Sequence, residues 1–255
     1  MILRRLGNKK KIAQKIIQHF PPHRVYVEPF FGAGGIFFYK DRAKYNFLND
    51  LDDDVFNLWN VFFNRKEELI KAIELMPCHE SLFQYWRKNK ETDPIKKAIR
   101  FLMLSNFGHM GKNETMAFSD VNSKRELLKN CEKILAVEDC QFMNCDFRKV
   151  FKNIAIIEYE ARSRPESTFI YNDPPYLTTT DNYSNSFTEQ DTIDLFKMNI
   201  DSGAKFAISE FNNPIVLELA ETHNLNVIEI AERRTMKSRN TEILITNYKL
   251  NNTLF

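Results

Sequence analysis

Cysteine, glycine and long apolar runs are scarce in this sequence of 255 residues, and each scarcity argues against a class of protein. The four cysteines are scattered and none forms a Cys-x-x-Cys pair, so we expect free thiols in a reducing compartment and no structural metal. No apolar run approaches the ~20 residues that cross a bilayer, and the chain turns polar after Leu3. We therefore expect neither a membrane segment nor a signal peptide.

Phenylalanine is abundant instead, with 22 residues against seven glycines, and we expect a core filled by large aromatic side chains. The composition, 43% hydrophobic and 27% charged, is typical of a globular protein. The net charge of +2 says little about nucleic acid, but residues 85–135 hold eleven Lys and Arg against six Asp and Glu, a net charge of +5. Phosphate binding needs such local basicity, although many helical surfaces are basic without binding anything.

The most informative stretch is an apolar, β-favouring run that ends abruptly in Asp173-Pro174-Pro175-Tyr176. Two adjacent prolines have no N–H donor and fixed φ angles, so the strand must stop near Asp173 and continue as a rigid turn. That turn presents a carboxylate, free carbonyl groups and a phenol ring. The pattern fits either an ordinary strand end or a pocket for a nucleobase that carries an exocyclic amine.

Strand and helix patterns alternate on both sides of a purely helical segment. Strand patterns begin at Val25 and recur at 45–48, 140–147, 168–172, 204–209, 226–230 and 242–248. Helix patterns cover 8–20, with Asn8 as the N-cap, the residues after the glycine turn at 32–35, and 189–199 and 214–222. Within the helical segment, four more helix patterns lie near 55–75, 79–90, 94–106 and 123–135.

This alternation predicts an α/β protein with a doubly wound, mostly parallel seven-stranded sheet. The last two strands are joined by a basic loop without a helix (Arg233 to Asn240), so we expect the last strand to be antiparallel. Residues 1–55 and 137–255 would form the sheet domain, and residues 56–136 a helical insertion.

Glycines and an acid follow the first two strands. Gly32 and Gly34 allow a sharp turn and close approach of a ligand to the backbone. A dinucleotide fingerprint would need glycine at position 37, where Phe37 stands, so the match to an NAD site is defective. Asp50 ends the second strand, where nucleoside-binding proteins hold ribose hydroxyls. Asp50 has the alternative role of capping the next helix, but Asp52 or Asp53 is better placed for capping.

The order of these motifs resembles the Dam-type, α-class (D12) DNA adenine-N6 methyltransferases, which use S-adenosylmethionine (AdoMet), and the resemblance covers nearly the whole chain. It implies a Rossmann-like methyltransferase fold whose helical insertion recognises the target sequence. It also implies a set of cofactor-binding residues: Gly7, Lys9, Glu28, Pro29, Phe30, Gly32, Gly34, Asp50, Asp146, Phe147 and Asp173.

The resemblance also implies that Asp173, Pro174, Pro175 and Tyr176 form the catalytic motif. The Asp173 carboxylate and the Pro174 carbonyl would hold the two hydrogens of the adenine amine, while Tyr176 stacks on the base. The base must leave the duplex to reach them. The region of Tyr183 and Phe187 is then either a cover for the flipped base or an ordinary surface loop.

We expect the loop 107–118 to read base edges in the major groove. The predicted DNA contacts are Lys112, Asn113, Lys124, Arg125 and Arg239. Lys237 is also expected to meet a phosphate, whereas Arg233 and Arg234 either meet phosphates or serve solubility. Members that modify GATC usually carry Arg-Tyr-Asn and Gly-x-Phe-Asn-x-Pro in the insertion. The corresponding loop here reads differently, so the resemblance does not imply GATC as the target.

We expect a monomeric, cytoplasmic enzyme, encoded by a bacterium or a phage, that methylates double-stranded DNA and forms S-adenosylhomocysteine without a metal or a membrane. A cognate restriction endonuclease is a candidate partner. The alternatives are a methyltransferase of RNA adenine or of protein glutamine, although glutamine enzymes favour asparagine at position 173. Two more distant alternatives are a non-catalytic DNA-binding protein and a nicotinamide oxidoreductase.

Overall fold

The computed structural model describes residues 2–4, 8–108, 116–117, 123–134, 140–177, 187–234 and 239–249. The chain divides into two compact units. The helical unit comprises Met1–Asn8, Gly32–Phe38 and Leu51–Glu138, and the sheet unit comprises Lys9–Phe31, Tyr39–Asp50 and Asp139–Phe255. The functional division into a catalytic and a target-recognition domain stays a prediction.

Seven strands of the sheet unit form one sheet in the described part of the chain: β1 Val25–Glu28, β2 Tyr45–Asn49, β3 Cys140–Met143, β4 Thr168–Asn172, β5 Lys205–Phe211, β6 Asn226–Arg234 and β7 Arg239–Thr246. Their order is β3-β2-β1-β4-β5-β7-β6. Strands β1 to β5 pair in parallel, and β7 runs antiparallel to both β5 and β6. The predicted fold class is therefore confirmed, including the antiparallel last strand.

The central strands β1 and β4 are buried along their whole length, which explains why they read as continuous apolar runs in the sequence. Val27 and Ile170 from these strands share a core with Phe206 of β5 and with side chains of the surrounding helices. Those helices are α7 Phe147–Lys152, α8 Ile154–Glu160, α9 Glu189–Asp201 and α10 Pro214–Thr222, and the sheet unit also contains the short α1 Ala13–Ile17. The sheet thus supplies a rigid frame for whatever lies at its edge.

The strand order contains a switch point between β1 and β4. From β1 the sheet grows outward through β2 and β3 on one side, and through β4 and β5 on the other. Val27 is paired with Ile170, so the chain leaves β1 after Glu28 and β4 after Asn172 side by side. In open α/β sheets, ligands bind at the carboxyl ends of the strands at such a point.

The helical unit contains five α-helices in its described part: α2 Asp53–Asn64, α3 Lys66–Leu75, α4 Glu80–Lys88, α5 Pro94–Phe107 and α6 Lys124–Lys133. One hydrophobic cluster joins Phe83 and Trp86 of α4 to Met103 and Phe107 of α5. The pattern near 55–75 is two helices rather than one, because Arg65 leaves helical geometry with φ −140°. Among the described residues, no helix is both long and apolar enough to span a membrane.

Two predictions about the start of the chain are wrong. The helix expected over 8–20 begins as a 3-10 turn at Lys9–Lys11, and α1 starts after Ile12 instead of after an Asn8 cap. The Lys9 side chain of this 3-10 turn points inward and is 2% exposed. The glycine turn does not open a helix either, since Gly32 and Gly34 adopt left-handed φ angles of +52° and +68° within a run of turns.

Two predictions about strand ends are also wrong. Strand β3 stops at Met143 instead of reaching 147, because Asp146 accepts a hydrogen bond from the Arg148 N–H (2.9 Å) and thereby caps α7. The basic stretch before the last strand is largely paired rather than a loop, since β6 continues to Arg234 and β7 begins at Arg239. The extra pairing follows from the antiparallel register, which sets Arg234 opposite Arg239.

Candidate active site

The predicted catalytic turn follows β4 at the carboxyl edge of the sheet unit, next to the end of β1. The Asp173 side chain is 21% exposed, whereas Pro174 is buried and Tyr176 is only 9% exposed. The Tyr176 ring packs edge-on against Phe211 of β5, with 4.5 Å between ring centroids. Asp173 is therefore the member of the turn whose charge is best exposed to a ligand.

Behind Asp173 lies a buried ionic cluster that sequence reasoning did not assemble. The Lys9 ammonium lies 2.9 Å from Asp173 Oδ1 and 2.7 Å from Glu242 Oε1. Lys9 also donates to the Tyr176 hydroxyl, which in turn donates to Glu242 Oε1. Glu242 is fully buried and stands on β7, the antiparallel strand. Buried charges persist only where opposite charges and hydrogen bonds compensate their desolvation.

Two more buried carboxyl groups, Glu28 of β1 and Glu210 of β5, approach the cluster. Burial raises the pKa of Glu28 to about 8, although a hydrogen bond from the Tyr26 hydroxyl (2.8 Å) acts in the opposite direction. Burial likewise raises the pKa of Glu210 to about 8 and the pKa of Tyr176 well above its ordinary range. With a pKa of about 8, both carboxyl groups are largely protonated at neutral pH.

Asn49 ties three strand ends together at this edge, and its one signal in the sequence is an amide side chain at the end of an apolar strand, just before Asp50. Its side-chain amide donates to the carbonyls of Pro29 and Cys145 (2.9 Å each). Its carbonyl oxygen accepts from the Cys145 N–H (3.1 Å). The loops after β1 and β3 are therefore held to the end of β2.

Three residues of the predicted cofactor-binding set, Phe30, Asp50 and Phe147, follow the strand ends that Asn49 joins. Phe30, which follows β1, contacts Phe147 of α7 with 5.4 Å between ring centroids. Phe187 contacts both rings, at 5.8 Å from Phe30 and 5.9 Å from Phe147. Asp50 is half-buried at the end of β2, and its N–H donates to the Met143 carbonyl (3.2 Å). The fold thus brings Asp50, Phe30 and Phe147 to one edge of the sheet.

Asp146 belongs to an ion-pair network between α7 and α9. Arg148 pairs with Asp146 at 3.4 Å and with Asp191 and Asp194 of α9 at 2.6 Å each. The Asp191 carboxylate also completes a capping box with Thr188 at the start of α9. The network fixes the first turn of α9 against the segment that carries Asp146.

The helical unit holds the other predicted ligand residues. The Trp59 indole donates to the Gly32 carbonyl (2.9 Å), and a Cβ added at Gly32 would meet open space. The Lys124 ammonium donates to the carbonyls of Glu74 (2.7 Å) and Met76 (3.0 Å), whereas Arg125 is exposed. Gly7, Lys112, Asn113 and Tyr183 lie outside the described residues, as does the side chain of Arg239.

Some basic side chains of the helical unit are bonded to other groups of the same unit. Lys97 is paired with Asp53 and Asp54, and Arg100 is buried with its guanidinium Nε donating to the Trp86 carbonyl (2.9 Å). The exposed Lys and Arg side chains in the same segment include Lys88, Lys90, Lys96, Arg125, Lys129 and Lys133. Exposed basic groups such as these are able to meet phosphates.

Chemically, the sheet unit offers a partly exposed carboxylate backed by a buried cation, with aromatic rings and a second acid at neighbouring strand ends. Such an arrangement can accept hydrogen bonds from N–H groups and can bind an aromatic ligand. Within the described ranges, no three His, Cys, Asp or Glu side chains come together as metal ligands would.

The family model and the related sequences agree with each other. The model of the D12 class N6 adenine-specific DNA methyltransferases matches residues 6–236. DNA adenine methylase of Escherichia coli (strain K12) is 26% identical over an alignment that covers 91% of this chain and 87% of that protein. Type II methyltransferase M1.LlaDCHI of Lactococcus lactis subsp. cremoris is 24% identical, with 95% and 93% covered. Among solved structures, a Streptococcus mutans protein described as a methyltransferase and bound to SAH has a TM-score of 0.41, 10% identity, and coverage of 96% and 99%.

Proposed function

The chain belongs to the D12 class N6 adenine-specific DNA methyltransferase family, and from this we propose that it methylates the exocyclic amine of a flipped-out adenine at a specific site in double-stranded DNA. The observation that carries the proposal is Asp173, a partly exposed carboxylate at the switch point of the sheet, held from behind by the buried Lys9. The methyl donor is AdoMet, as the family implies.

The residues at the sheet edge fit such a cofactor. Asp50 is proposed to accept hydrogen bonds from the ribose hydroxyls, because a carboxylate at the end of β2 is an acceptor-only partner for two adjacent hydroxyls. Phe30 and Phe147 provide apolar ring surface for the adenine, and Asp146 an acceptor beside it. Gly7, Lys9, Glu28, Pro29, Gly32 and Gly34 complete the proposed cofactor-binding set. When bound, the cofactor supplies a methyl group already activated by its sulfonium.

The protein's part is then to orient the amine and to stabilise positive charge on its nitrogen. The Asp173 carboxylate and the Pro174 carbonyl accept the two amine hydrogens and draw the nitrogen toward sp³ geometry. The bound cofactor would supply its methyl group to the amine nitrogen and leave as the neutral thioether S-adenosylhomocysteine. The N–H proton that the nitrogen loses would end on solvent, and no covalent intermediate with the protein is required.

Tyr176 is proposed to stack on the flipped base. Its hydroxyl is anchored to Lys9 and Glu242 and its ring edge-packs on Phe211, so the ring is a fixed platform. Unstacking and unpairing the base costs about a few kcal/mol, which stacking on an aromatic ring offsets in part. Phe187 lies against Phe30 and Phe147, and together with the Tyr183 region it is the candidate cover.

The helical unit is proposed to bind the DNA, with Lys112, Asn113, Lys124, Arg125 and Arg239 as contacts. For Lys124 the two backbone carbonyls that already hold its ammonium favour a structural contribution as well. We propose a monomer acting on DNA in a bacterial cell or a phage-infected one, either alone or beside a cognate restriction endonuclease.

Replacing Asp173 tests the proposal. D173N should lower methyl transfer from tritiated AdoMet to duplex DNA by about 100-fold or more, because it removes a charge-assisted acceptor at the reacting nitrogen. AdoMet affinity, measured by calorimetry, should stay within a few-fold. D201N, at an exposed acid that ends α9, is the matched control and should retain wild-type activity. Full activity in D173N would overturn the assignment.

The same assay distinguishes the alternatives. Duplex DNA, RNA and a protein mixture are offered separately to the wild-type enzyme with the tritiated donor. We expect label in DNA only, as N6-methyladenine after digestion. Label in RNA or in protein would replace the DNA proposal with the corresponding substrate, and AdoMet binding without transfer to any DNA would favour a non-catalytic DNA-binding protein.

A further inference from the structure

Glu242 is a fully buried carboxylate for which the proposed chemistry has no direct use. Strand β7 inserts between β5 and β6, and this insertion sets Glu242 opposite Phe211 on one side and Ala231 on the other. From there its Oε1 reaches the Lys9 ammonium at 2.7 Å and accepts from the Tyr176 hydroxyl. Glu242 thus touches the two side chains that surround Asp173, although 66 residues separate it from Tyr176.

We propose that Glu242 is a positioning residue that shares the Lys9 charge and fixes the Tyr176 ring, so that Asp173 stays a strong acceptor for the adenine amine. The inference rests on the proposed function of Asp173. It adds a part of the site, on the antiparallel strand, that the catalytic motif does not contain.

The Lys9 ammonium is shared between the carboxylates of Asp173 and Glu242. Lys9 Nζ lies at similar distances from the two carboxylates, 2.9 Å from Asp173 and 2.7 Å from Glu242. In a buried site these attractions are strong. With Glu242 ionised, the three groups sum to −1, which suits the positive charge that develops on the amine nitrogen. Without Glu242, the full Lys9 charge would act on Asp173 and weaken its hydrogen bond to the amine.

Glu242 also helps to fix the position of the Tyr176 ring. The phenol is bonded to both Lys9 and Glu242, so the ring has one orientation against Phe211. A side chain that contacts the substrate keeps a fixed geometry only when neighbouring groups hold it by hydrogen bonds such as these. Glu242 therefore acts on the carboxylate that holds the amine and on the ring proposed to stack on the base. It is itself fully buried and does not contact the base.

E242Q tests this role, because glutamine keeps the size and one acceptor but removes the charge. We expect kcat to fall about 10- to 100-fold, while the KM for DNA and the Kd for AdoMet stay within about twofold. A loss of structure alone would instead raise KM and Kd together. E158Q is the matched control, a carboxyl group of α8 that is 8% exposed and belongs to the same unit, and it should leave all three constants unchanged.

A double-mutant cycle with K9M shows whether Glu242 acts through Lys9. In the K9M background, E242Q should lower kcat by less than about threefold, since no cation is left to share. The K9M/E242Q protein also avoids an unpaired buried charge, so it provides a folded reference if E242Q alone is unstable. Equal effects of E242Q with and without Lys9 would refute the charge-sharing proposal.

A titration of Asp173 provides a readout that does not require activity. The charged or titratable groups near it are Lys9 from the 3-10 turn, Glu28 and Tyr26 from β1, Tyr171 from β4, Tyr176 from the turn, Glu210 from β5 and Glu242 from β7. The carboxyl carbon of Asp173, observed by NMR and assigned with D173N, should titrate at lower pH in E242Q than in the wild type. An unchanged or higher midpoint would refute the proposal. Absence of methyl transfer by the wild type would count against the proposed function, while this titration would still test the Glu242 contact.

Discussion

Glu28 and Glu210 are buried carboxyl groups on β1 and β5, and burial raises the pKa of each to about 8 from a usual value of 4.5. Between those two pH values the unfolded chain loses the Glu28 proton while the folded protein retains it. Ionisation in this window therefore favours the unfolded state, and the free energy of unfolding should fall as pH rises from about 4.5 to about 8. Below the window both states are protonated, so the effect is absent.

E28Q removes this titration and keeps a neutral partner for the Tyr26 hydroxyl. We expect E28Q to flatten the decline in unfolding free energy and to be more stable than the wild type at pH 8 by on the order of 2 kcal/mol. Urea unfolding at pH 5, 6, 7 and 8 measures both. E218Q, at an exposed carboxylate of α10, should reproduce the wild-type slope. A wild-type slope in E28Q would mean that Glu28 is ionised in the folded protein.

The sequence and the fold contribute different residues to the candidate site. Asp173 and Tyr176 could be predicted because two adjacent prolines force a turn after an apolar strand, a purely local effect. Glu242 and Asn49 could not be assigned in the same way, because their partners are distant in the chain and meet only through strand pairing. Lys9 was expected near the cofactor, but its contact with Asp173 depends on a 3-10 turn that the apolar periodicity concealed.

At the scale of elements, the turn after β2 contains two acids with separate expected tasks. Asp52 accepts from the Asp54 N–H (3.0 Å) and caps α2, which confirms the prediction that Asp52 or Asp53 would do so. Asp50 ends the strand instead, and its backbone N–H is bonded to Met143. The capping role thus belongs to Asp52, and Asp50 keeps its proposed role as the ribose-binding acid.

Substitutions at the two positions should therefore change different properties, AdoMet affinity at Asp50 and stability at Asp52. D50A should weaken AdoMet binding by about 1–3 kcal/mol for lost charged hydrogen bonds, with unfolding free energy nearly unchanged. D52A should lower the unfolding free energy by about 1 kcal/mol and leave AdoMet affinity unchanged. D52N, which retains a capping oxygen, serves as the control. Calorimetry and urea unfolding measure both quantities, and unchanged AdoMet affinity in D50A would mean that Asp50 does not bind the ribose.

Elements were predictable where local signals agreed with packing. Helix α10 has the expected bounds because Asn213 caps it and Pro214 occupies its first position. The glycine turn was predicted to open a helix, but its left-handed φ angles interrupt the pattern. The apolar positions stay in phase across Arg65, since Phe62 and Leu69 are seven residues apart, and only the polar run at 64–68 marks the break between α2 and α3.

At the scale of the whole molecule, the sequence predicted the number and main direction of the strands but not their order. The alternation of strands and helices indicates a doubly wound sheet because each crossover must pack on a face. Nothing local indicates that β7 inserts between β5 and β6, since that choice depends on which edges are left to pair. The buried position of Glu242 follows from this strand order, so the contact of Glu242 with the candidate site could not be predicted from the sequence.

Charge is also distributed unevenly over the molecule, and the exposed basic residues of 85–135 predict a salt-dependent DNA affinity. If the net +5 of this segment meets about five phosphates, the logarithm of the binding constant should fall with the logarithm of salt concentration with a slope of about −4. The K88Q/K90Q/K96Q variant should reduce that slope by up to about 3 without changing AdoMet affinity. K152Q/K197Q/K249Q removes three exposed lysines of the sheet unit and should leave the slope near the wild-type value. Fluorescence anisotropy with a labelled duplex from 50 to about 300 mM salt measures all three proteins. A flat response in the wild type, or an equal reduction by both triple variants, would place the DNA contacts elsewhere than on this segment.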